Sequence, residues 1–103
     1  RLLELSDLDK KLLSLLKKNT FINQQIFCAH FYKSPNSKKR VLYEALQKQV
    51  TQQPKHYLSF LKSPKLKERM LFARCINTAL KTDFDPWAAT SKRQEKIKLL
   101  EAK

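Results

Sequence analysis

The feature that most constrains this chain is the complete absence of glycine from its 103 residues. Tight β-hairpin turns depend on backbone conformations with positive φ, which glycine adopts without steric cost, whereas helices tolerate the lack of glycine well. The four prolines follow Ser34, Gln53, Ser63 and Asp85, where they separate stretches with the apolar spacing of helices. We therefore predict an all-α fold: a compact single-domain bundle of five or six helices, with residues 1–103 forming one helical domain.

The bundle is predicted to surround one buried central helix at about residues 64–81. Ser63 suits the N-cap position and Pro64 the first helical position, where a missing N–H has no cost. Apolar residues cover nearly the whole circumference of this helix, which is typical of a helix inside a core. They form two predicted faces, Leu66, Met70, Ala73, Ile76 and Leu80 on one side and Leu71, Phe72, Cys75 and Ala79 on the other. The line of Lys67, Arg74 and Lys81, with Thr78 beside it, is expected to face water.

A first helix is predicted between Leu2 and Lys18, where leucines recur at the spacing of an amphipathic helix. Ser6 and Asp9 have the spacing of a capping box, which indicates that the regular helix begins there. Asn19 is expected to end this helix as a left-handed C-cap, since asparagine replaces glycine most readily in that role.

The other helices are predicted from the same periodicity and from the positions of the prolines. They are expected at residues 20–33, from Ser37 to about residue 50, and at 54–62. A last helix is expected to start near Asp85 or at Ser91, and Trp87 is expected to be buried rather than displayed in an exposed Asp-Pro-Trp motif. Because the chain begins at Arg1 without a methionine, we expect it to be a domain from a longer protein.

One stretch in the middle of the chain is similar to a known family. It consists of Leu46, Val50, Pro54, Tyr57, Leu58, Phe60, Leu61 and Lys62. This run resembles the C-terminal part of TAF homology domains, which are small helical modules that bind peptides of transcription regulators. The resemblance covers less than a fifth of the chain, and it implies a protein-interaction role.

The distribution of charge is the strongest functional signal. The formal net charge is +13, and the segment from Lys33 to Lys81 carries twelve basic residues against Glu44 and Glu68. Like charges repel one another, and the phosphate backbone of nucleic acid is the partner that most often offsets such a concentration. We therefore expect nucleic-acid binding, DNA or RNA, mainly through phosphate contacts from residues 33–81. The candidate contacts are Lys38, Lys39, Arg40, Lys55, Lys62, Lys65, Lys67, Arg69, Arg74 and Lys81.

Other modes of binding have less support in the sequence. Among the residues of the central helix only Arg74 and Asn77 are of the types that read bases, so a helix-turn-helix reader is not expected. The aromatic residues at core-like positions are Tyr57, Phe60, Phe72 and Trp87, so base stacking is not expected either. A helical protein-interaction domain that docks an acidic or amphipathic peptide is the alternative. A membrane surface is a third partner class, which the commitment of every helix to packing disfavours.

Catalysis and metal binding are not predicted. General acid–base chemistry needs paired carboxylates or histidines, whereas the two histidines, His30 and His56, lie far apart in the sequence. Together with Cys28 and Cys75 they contain the right atoms for zinc, but their spacing matches no usual ligand pattern. We expect no enzymatic activity, no cofactor and no metal. Two cysteines make no disulfide framework, so an intracellular, reducing location in the nucleus or cytoplasm is expected.

Overall fold

The computed structural model of the protein describes residues 4–103, and six helices account for 75% of them. Five are α-helices: α1 (Asp7–Leu15), α2 (Phe21–Lys33), α3 (Asn36–Gln52), α4 (Leu66–Leu80) and α5 (Thr90–Glu101). A 3₁₀ helix, Pro54–Lys62, lies between α3 and α4. Within residues 4–103 there is no β-strand, and the chain forms a single compact bundle. The predicted all-α fold is therefore confirmed.

The core forms where α4 packs between the 3₁₀ helix and α3, with α1, α2 and α5 around them. An aromatic cluster of Tyr57, Phe60 and Phe72 lies at its centre, and the Phe60 and Phe72 ring centroids are 4.6 Å apart. The Gln47 side chain donates a hydrogen bond to the Cys75 carbonyl oxygen, which ties α3 to α4. Gln24 of α2 likewise donates to the Phe60 carbonyl oxygen. Side-chain amides thus connect helices that are distant from each other in the sequence.

The central helix exists as predicted, but it is shorter at both ends than residues 64–81. Ser63 is not its N-cap, because the Ser63 hydroxyl is buried and donates to the Glu68 carboxylate at 2.7 Å. The helix begins at Leu66 instead, and Lys65 occupies the N-cap position without a side-chain cap. At the other end Lys81 adopts a left-handed conformation with φ 56°.

The faces of α4 are partly as predicted. Phe72, Ala73, Cys75 and Ile76 are buried, whereas Met70, which was assigned to the core, is 39% exposed. The predicted polar line is confirmed by its exposure, and its members are Lys67, Arg74, Thr78 and Lys81. The buried face of α4 also includes the charged residues Glu68 and Arg69. The spacing of apolar residues does not predict the burial of charged ones.

The N-terminal half follows the predicted order of elements. The capping box of α1 is present, with the Ser6 hydroxyl accepting from the Asp9 amide and the Asp9 carboxylate accepting from the Ser6 amide. Leu2 lies outside the described residues, and α1 ends at Leu15, with Leu16 as its C-cap. The expected left-handed C-cap at Asn19 is wrong, because Lys81 is the residue with positive φ among residues 4–103.

The segment between α4 and α5 differs most from the prediction. Trp87 is 68% exposed and lies in a turn. The Trp87 backbone amide donates to the Asp85 carboxylate. The residue buried here is Phe84. The Asn77 side-chain amide donates to the Phe84 carbonyl oxygen and accepts from the Phe84 backbone amide. The last helix starts at Thr90, close to the later of the two predicted positions.

Candidate nucleic-acid interface

A groove runs between the end of α2, the first half of α3 and the exposed side of α4. The turn at Pro35 allows α3 to begin three residues after α2 ends, so the cations on both sides of the turn lie near each other. The groove has a volume of about 610 Å³, within the range usual for ligand sites. The residues that line it are Phe31, Tyr32, Asn36, Lys39, Arg40, Tyr43, Glu44, Met70, Leu71 and Arg74.

Tyr32 lines this groove and also a second hollow of about 410 Å³ on the surface of α2 and α4. The second hollow contains three further cations, Lys33, Lys65 and Lys67. The Tyr32 hydroxyl donates to the Lys67 carbonyl oxygen at 2.9 Å, which fixes the ring between α2 and α4. The two hollows therefore share Tyr32, a partly buried aromatic residue, and basic residues line both of them.

Three of the basic residues at the two hollows lie over tyrosine rings and form no ion pair among the described residues. The Arg74 guanidinium carbon is 4.6 Å from the centre of the Tyr43 ring. The Lys67 and Lys39 ammonium groups lie 5.4 Å and 6.0 Å from the centre of the Tyr32 ring. Each such contact contributes about 0.5–1 kcal/mol at an exposed site. The contacts hold the charges at the rim of the groove without neutralising them.

The electrostatics of the groove favour an anion. Glu44 is its exposed acid, whereas Glu68, beside the second hollow, is buried and accepts from Ser63. Burial raises the pKa of Tyr43 to about 12, with a small opposing effect from Arg74, and burial raises the pKa of Tyr32 as well. Both phenols therefore stay neutral at physiological pH, and their rings remain electron-rich faces rather than phenolates.

The structure brings together half of the residues predicted as phosphate contacts. Five surround the two hollows: Lys39, Arg40, Lys65, Lys67 and Arg74. We call these five residues the groove cations. Lys55 and Lys62 lie instead beside α5, where Lys55 donates to the Glu101 carbonyl oxygen. Lys81 is exposed at the end of α4.

Lys38 stands apart from the groove cations because its charge is compensated inside the protein. Its ammonium group is 2.9 Å from the buried Asp9 carboxylate, which also accepts from His30 at 2.6 Å. Burial alone would raise the pKa of Asp9, but the hydrogen bonds from Lys38, Ser6 and His30 outweigh it and hold that pKa well below its usual value. Lys38 thus joins α3 to the start of α1.

Arg69, also predicted as a phosphate contact, is buried and is removed from the candidate interface. Only 8% of its surface is exposed. Its guanidinium donates to the Ser63 carbonyl oxygen at 2.9 Å and to the Pro86 carbonyl oxygen at 3.0 Å. These bonds connect the two loops that flank α4, so Arg69 has a structural role. The physical reason is that both loops present carbonyl oxygens which need a donor when they are buried.

The sequence interpretation missed Lys33, Tyr32 and Tyr43. Lys33 was counted in the basic segment without being named as a contact, and the tyrosines were not considered as part of a site. A signal for them exists: tyrosine combines a large ring with a polar tip, and it is often half-buried where one end meets water. Both tyrosines lie within about two helical turns of the Lys38–Arg40 cluster. That combination of ring and charge is the signal by which the sequence could have pointed to these residues.

The cysteine and histidine residues do not assemble into a metal site. His30 bonds to Asp9 and His56 lies against the Lys17 carbonyl oxygen. Cys28 and Cys75 are buried, and burial raises the pKa of each thiol to about 12. Across residues 4–103 no group of three or more potential ligands lies close enough to hold a metal ion. In the same range no helix has the length and apolar character needed to cross a membrane.

Comparison with known proteins assigns no relative to this chain. It matches no protein-family model, no curated protein and no solved structure. The similarity to TAF homology domains stays a local one, and its apolar residues from Leu46 to Leu61 are all in the core.

Proposed function

We propose that this protein binds nucleic acid, chiefly through contacts between the groove cations and backbone phosphates. The observation that carries the proposal is the convergence of these five residues around two hollows. They come from the first two turns of α3 and from the N-cap to the middle of α4. Lys33 at the end of α2 adds a sixth basic residue. Together the two hollows offer an excess of positive charge that is complementary to a polyanion.

The energetic cost of this arrangement supports a functional reason for it. Within residues 4–103 none of the groove cations forms an ion pair, since the ion pairs there join Asp9 to His30 and Lys38, and Asp83 to Lys96. The first turn of α3 contains no acidic residue, although a helix N-terminus favours acids. Uncompensated cations in these positions lower the stability of the free protein. Neutralisation by phosphates and release of counterions would offset that cost.

Paired charge reversals test the proposal. One variant carries Arg40→Glu, Lys67→Glu and Arg74→Glu, all exposed positions at the two hollows. The control carries Lys92→Glu, Lys98→Glu and Lys103→Glu on the exposed surface at and after α5. Each triple lowers the formal net charge of +13 by the same amount. The affinities of both variants for labelled oligonucleotides are measured by fluorescence anisotropy.

At about 100 mM salt, where charges are screened beyond about 10 Å, we expect the groove triple to lose about tenfold or more in affinity and the control to lose at most about threefold. The groove triple should also reduce the slope of log affinity against log salt, by about 0.7 per lost contact on a single strand and about 0.9 on duplex DNA. Equal losses in the two variants would mean that net charge alone attracts the polyanion. Absence of binding by the unmodified protein, even at about 50 mM salt, would refute the proposal.

A protein-interaction function is the second candidate, and one observation favours it. The exposed Trp87 lies in a turn that Asp85 and Arg69 hold in place, and large exposed aromatic residues are frequent hot spots of interfaces. Ile22 and Ile26 also lie exposed on one face of α2. Under this alternative, Trp87→Ala would weaken binding to a partner more than the groove triple does, and the binding would survive moderate salt.

A further inference from the structure

We propose that the groove accommodates a single strand of nucleic acid, with one base stacked at Tyr32 and the neighbouring phosphates bound by basic residues of the two hollows. This inference rests on the proposed function and specifies the form of nucleic acid that is bound. Proteins that bind single strands combine a positively charged groove with aromatic rings on which bases stack. Both components are present here around one residue.

The position of Tyr32 carries the inference. Tyr32 lines both hollows, so a strand that passes from one hollow to the other would pass beside it. Lys33, Lys65 and Lys67 lie on one side, and Lys39 and Arg40 line the other side. Phosphates that precede and follow a base stacked on Tyr32 would therefore both meet cations.

The ring is also held in place before any ligand arrives. Its hydroxyl donates to the Lys67 carbonyl oxygen, and its ring packs perpendicular to the Phe31 ring with centroids 5.2 Å apart. A fixed ring loses little conformational entropy on binding, which makes it an effective platform. The Lys39 and Lys67 ammonium groups lie over this ring, so under this proposal they turn from the ring to a phosphate as a base approaches.

A second planar group lies further along the same groove. The Arg74 guanidinium covers the Tyr43 ring, and its outer face is exposed. Unpaired bases stack on arginine planes as well as on aromatic rings. The groove thus offers two positions for unstacked bases. A duplex, whose bases are stacked inside the helix, uses neither position.

The polar surface of α4 gives a further reason to prefer a single strand over a duplex. Reading a duplex in the major groove requires several exposed polar side chains along one helix. Asn77, whose amide could read a base, is instead occupied by bonds to the Phe84 backbone. An acidic peptide would satisfy the cations but would leave the tyrosine and arginine faces unused.

The test compares Tyr32→Leu with Tyr32→Phe in the full chain. Tyr32→Phe removes the hydroxyl bond to Lys67 and keeps the ring, whereas Tyr32→Leu removes both. Binding is measured by anisotropy with fluorescein-labelled oligo-dT and oligo-U of about 15 nucleotides, within the usual site size for single strands. A duplex of the same length serves as the second probe, and poly-glutamate is the competitor.

We expect the single strands to bind more tightly than the duplex. Tyr32→Leu should weaken single-strand binding by about 5- to 150-fold, the range for loss of one base stack, whereas Tyr32→Phe should stay within about twofold of the unmodified protein. Duplex binding should respond to neither substitution. Equal effects of the two substitutions, equal affinity for strand and duplex, or equally effective competition by poly-glutamate would each overturn the single-strand inference. Phosphate binding by the groove cations would survive the first two of these results.

Photo-crosslinking of the unmodified protein keeps the inference testable if Tyr32→Leu fails to fold. An oligonucleotide containing 5-iodouracil is irradiated with the protein, and the crosslinked peptide is identified by mass spectrometry. The crosslink is expected in tryptic peptide 19–33, which contains Tyr32. A crosslink to the exposed Trp87 instead would overturn the inference. Failure of the protein to bind any probe would refute the proposed function as well.

Discussion

Arg69 and Arg74 stand five residues apart in one helix and have opposite roles. Arg69 is buried and donates to carbonyl oxygens of two loops, whereas Arg74 is exposed over the Tyr43 ring. Both were predicted as phosphate contacts because sequence alone assigns them the same charge. The difference depends on which loops lie beside each guanidinium, and the apolar period of α4 carries no information about those loops. Trp87 was misjudged for the same reason, since it belongs to a loop rather than to a helix.

The two arginines yield a direct comparison of stability. Arg69→Ala leaves two loop carbonyl groups without their donor, and hydrogen bonds to charged groups are worth about 1.5–3 kcal/mol each. We therefore expect Arg69→Ala to lower the free energy of unfolding by at least about 1.5 kcal/mol. The matched control, Arg74→Ala, should cost less than about 1 kcal/mol, the value of an exposed cation–π contact. Urea denaturation followed by circular dichroism measures both, and a larger loss in Arg74→Ala would contradict the assigned roles.

Asp9 provides the expected dependence of stability on pH. Because its pKa is lowered in the folded protein, its contribution to stability is present above the usual value of 3.8 and is lost as the pH falls below that value. We expect the free energy of unfolding to decrease as the pH is lowered from 5 toward 2. At neutral pH the free energy of unfolding of Asp9→Asn should be about 1.5–3 kcal/mol lower than that of the unmodified protein. This difference in unfolding free energy should become smaller as the pH falls.

Asp7→Asn is the control for this series. Asp7 lies exposed in the first turn of α1, so its replacement removes a similar charge near the helix start and should cost less than about 1 kcal/mol. Thermal unfolding at several pH values follows all three proteins. A constant difference between Asp9→Asn and the unmodified protein over this pH range would contradict the role given to the Asp9 carboxylate.

At the scale of elements, the sequence predicts which segments are helical better than where they end. The periodicity of α4 identified the buried Ile76 and the exposed Arg74 correctly. The N-terminus was misplaced because Ser63, a good N-cap by type, donates to Glu68 instead. Whether the Ser63 hydroxyl caps the helix or bonds to Glu68 depends on burial, and the sequence pattern contains no information about burial. For residues 54–62 the sequence likewise predicted a short helix but not that its turns are of the 3₁₀ type.

Two substitutions in α4 test whether this helix is central to the core. Ile76 is fully buried, so Ile76→Ala should cost about 2–5 kcal/mol, the range for truncation of buried aliphatic residues. Met70 is in the same helix but is 39% exposed, so Met70→Ala should cost less than Ile76→Ala by at least about 1 kcal/mol. Both are measured by urea denaturation. Similar losses at the two positions would mean that α4 buries a different face.

At the scale of the whole molecule, the fold class was predictable and the site was predictable only in part. The absence of glycine and the apolar periods indicate a helical bundle whatever the arrangement of its helices. The groove depends on that arrangement, because Tyr32, Lys39 and Arg74 come from three helices that the sequence does not place next to one another. Charge indicated a basic segment of the chain, but only the packing separates the five groove cations from Lys38, Lys55 and Arg69.

The net charge of +13 leads to a prediction about the stability of the whole protein. Repulsion among unpaired cations lowers the stability of the free protein, so inert salt should raise the melting temperature by screening it. A bound polyanion should raise the melting temperature further, because ligand at about 100 times its Kd adds about 2.7 kcal/mol. For a domain of this size that corresponds to about 10–20 °C at low salt. The ligand effect should shrink as salt increases, since the phosphate contacts weaken.

The groove triple, Arg40→Glu, Lys67→Glu and Arg74→Glu, separates the two effects. It removes repulsion at the groove, so its own melting temperature should depend less on salt than that of the unmodified protein. It should also lose most of the stabilisation by oligonucleotide, whereas the α5 triple, with the same change in net charge, should keep it. Differential scanning fluorimetry with and without oligo-dT measures both quantities. If oligonucleotide stabilises the groove triple as much as the α5 triple, the polyanion does not bind at the groove.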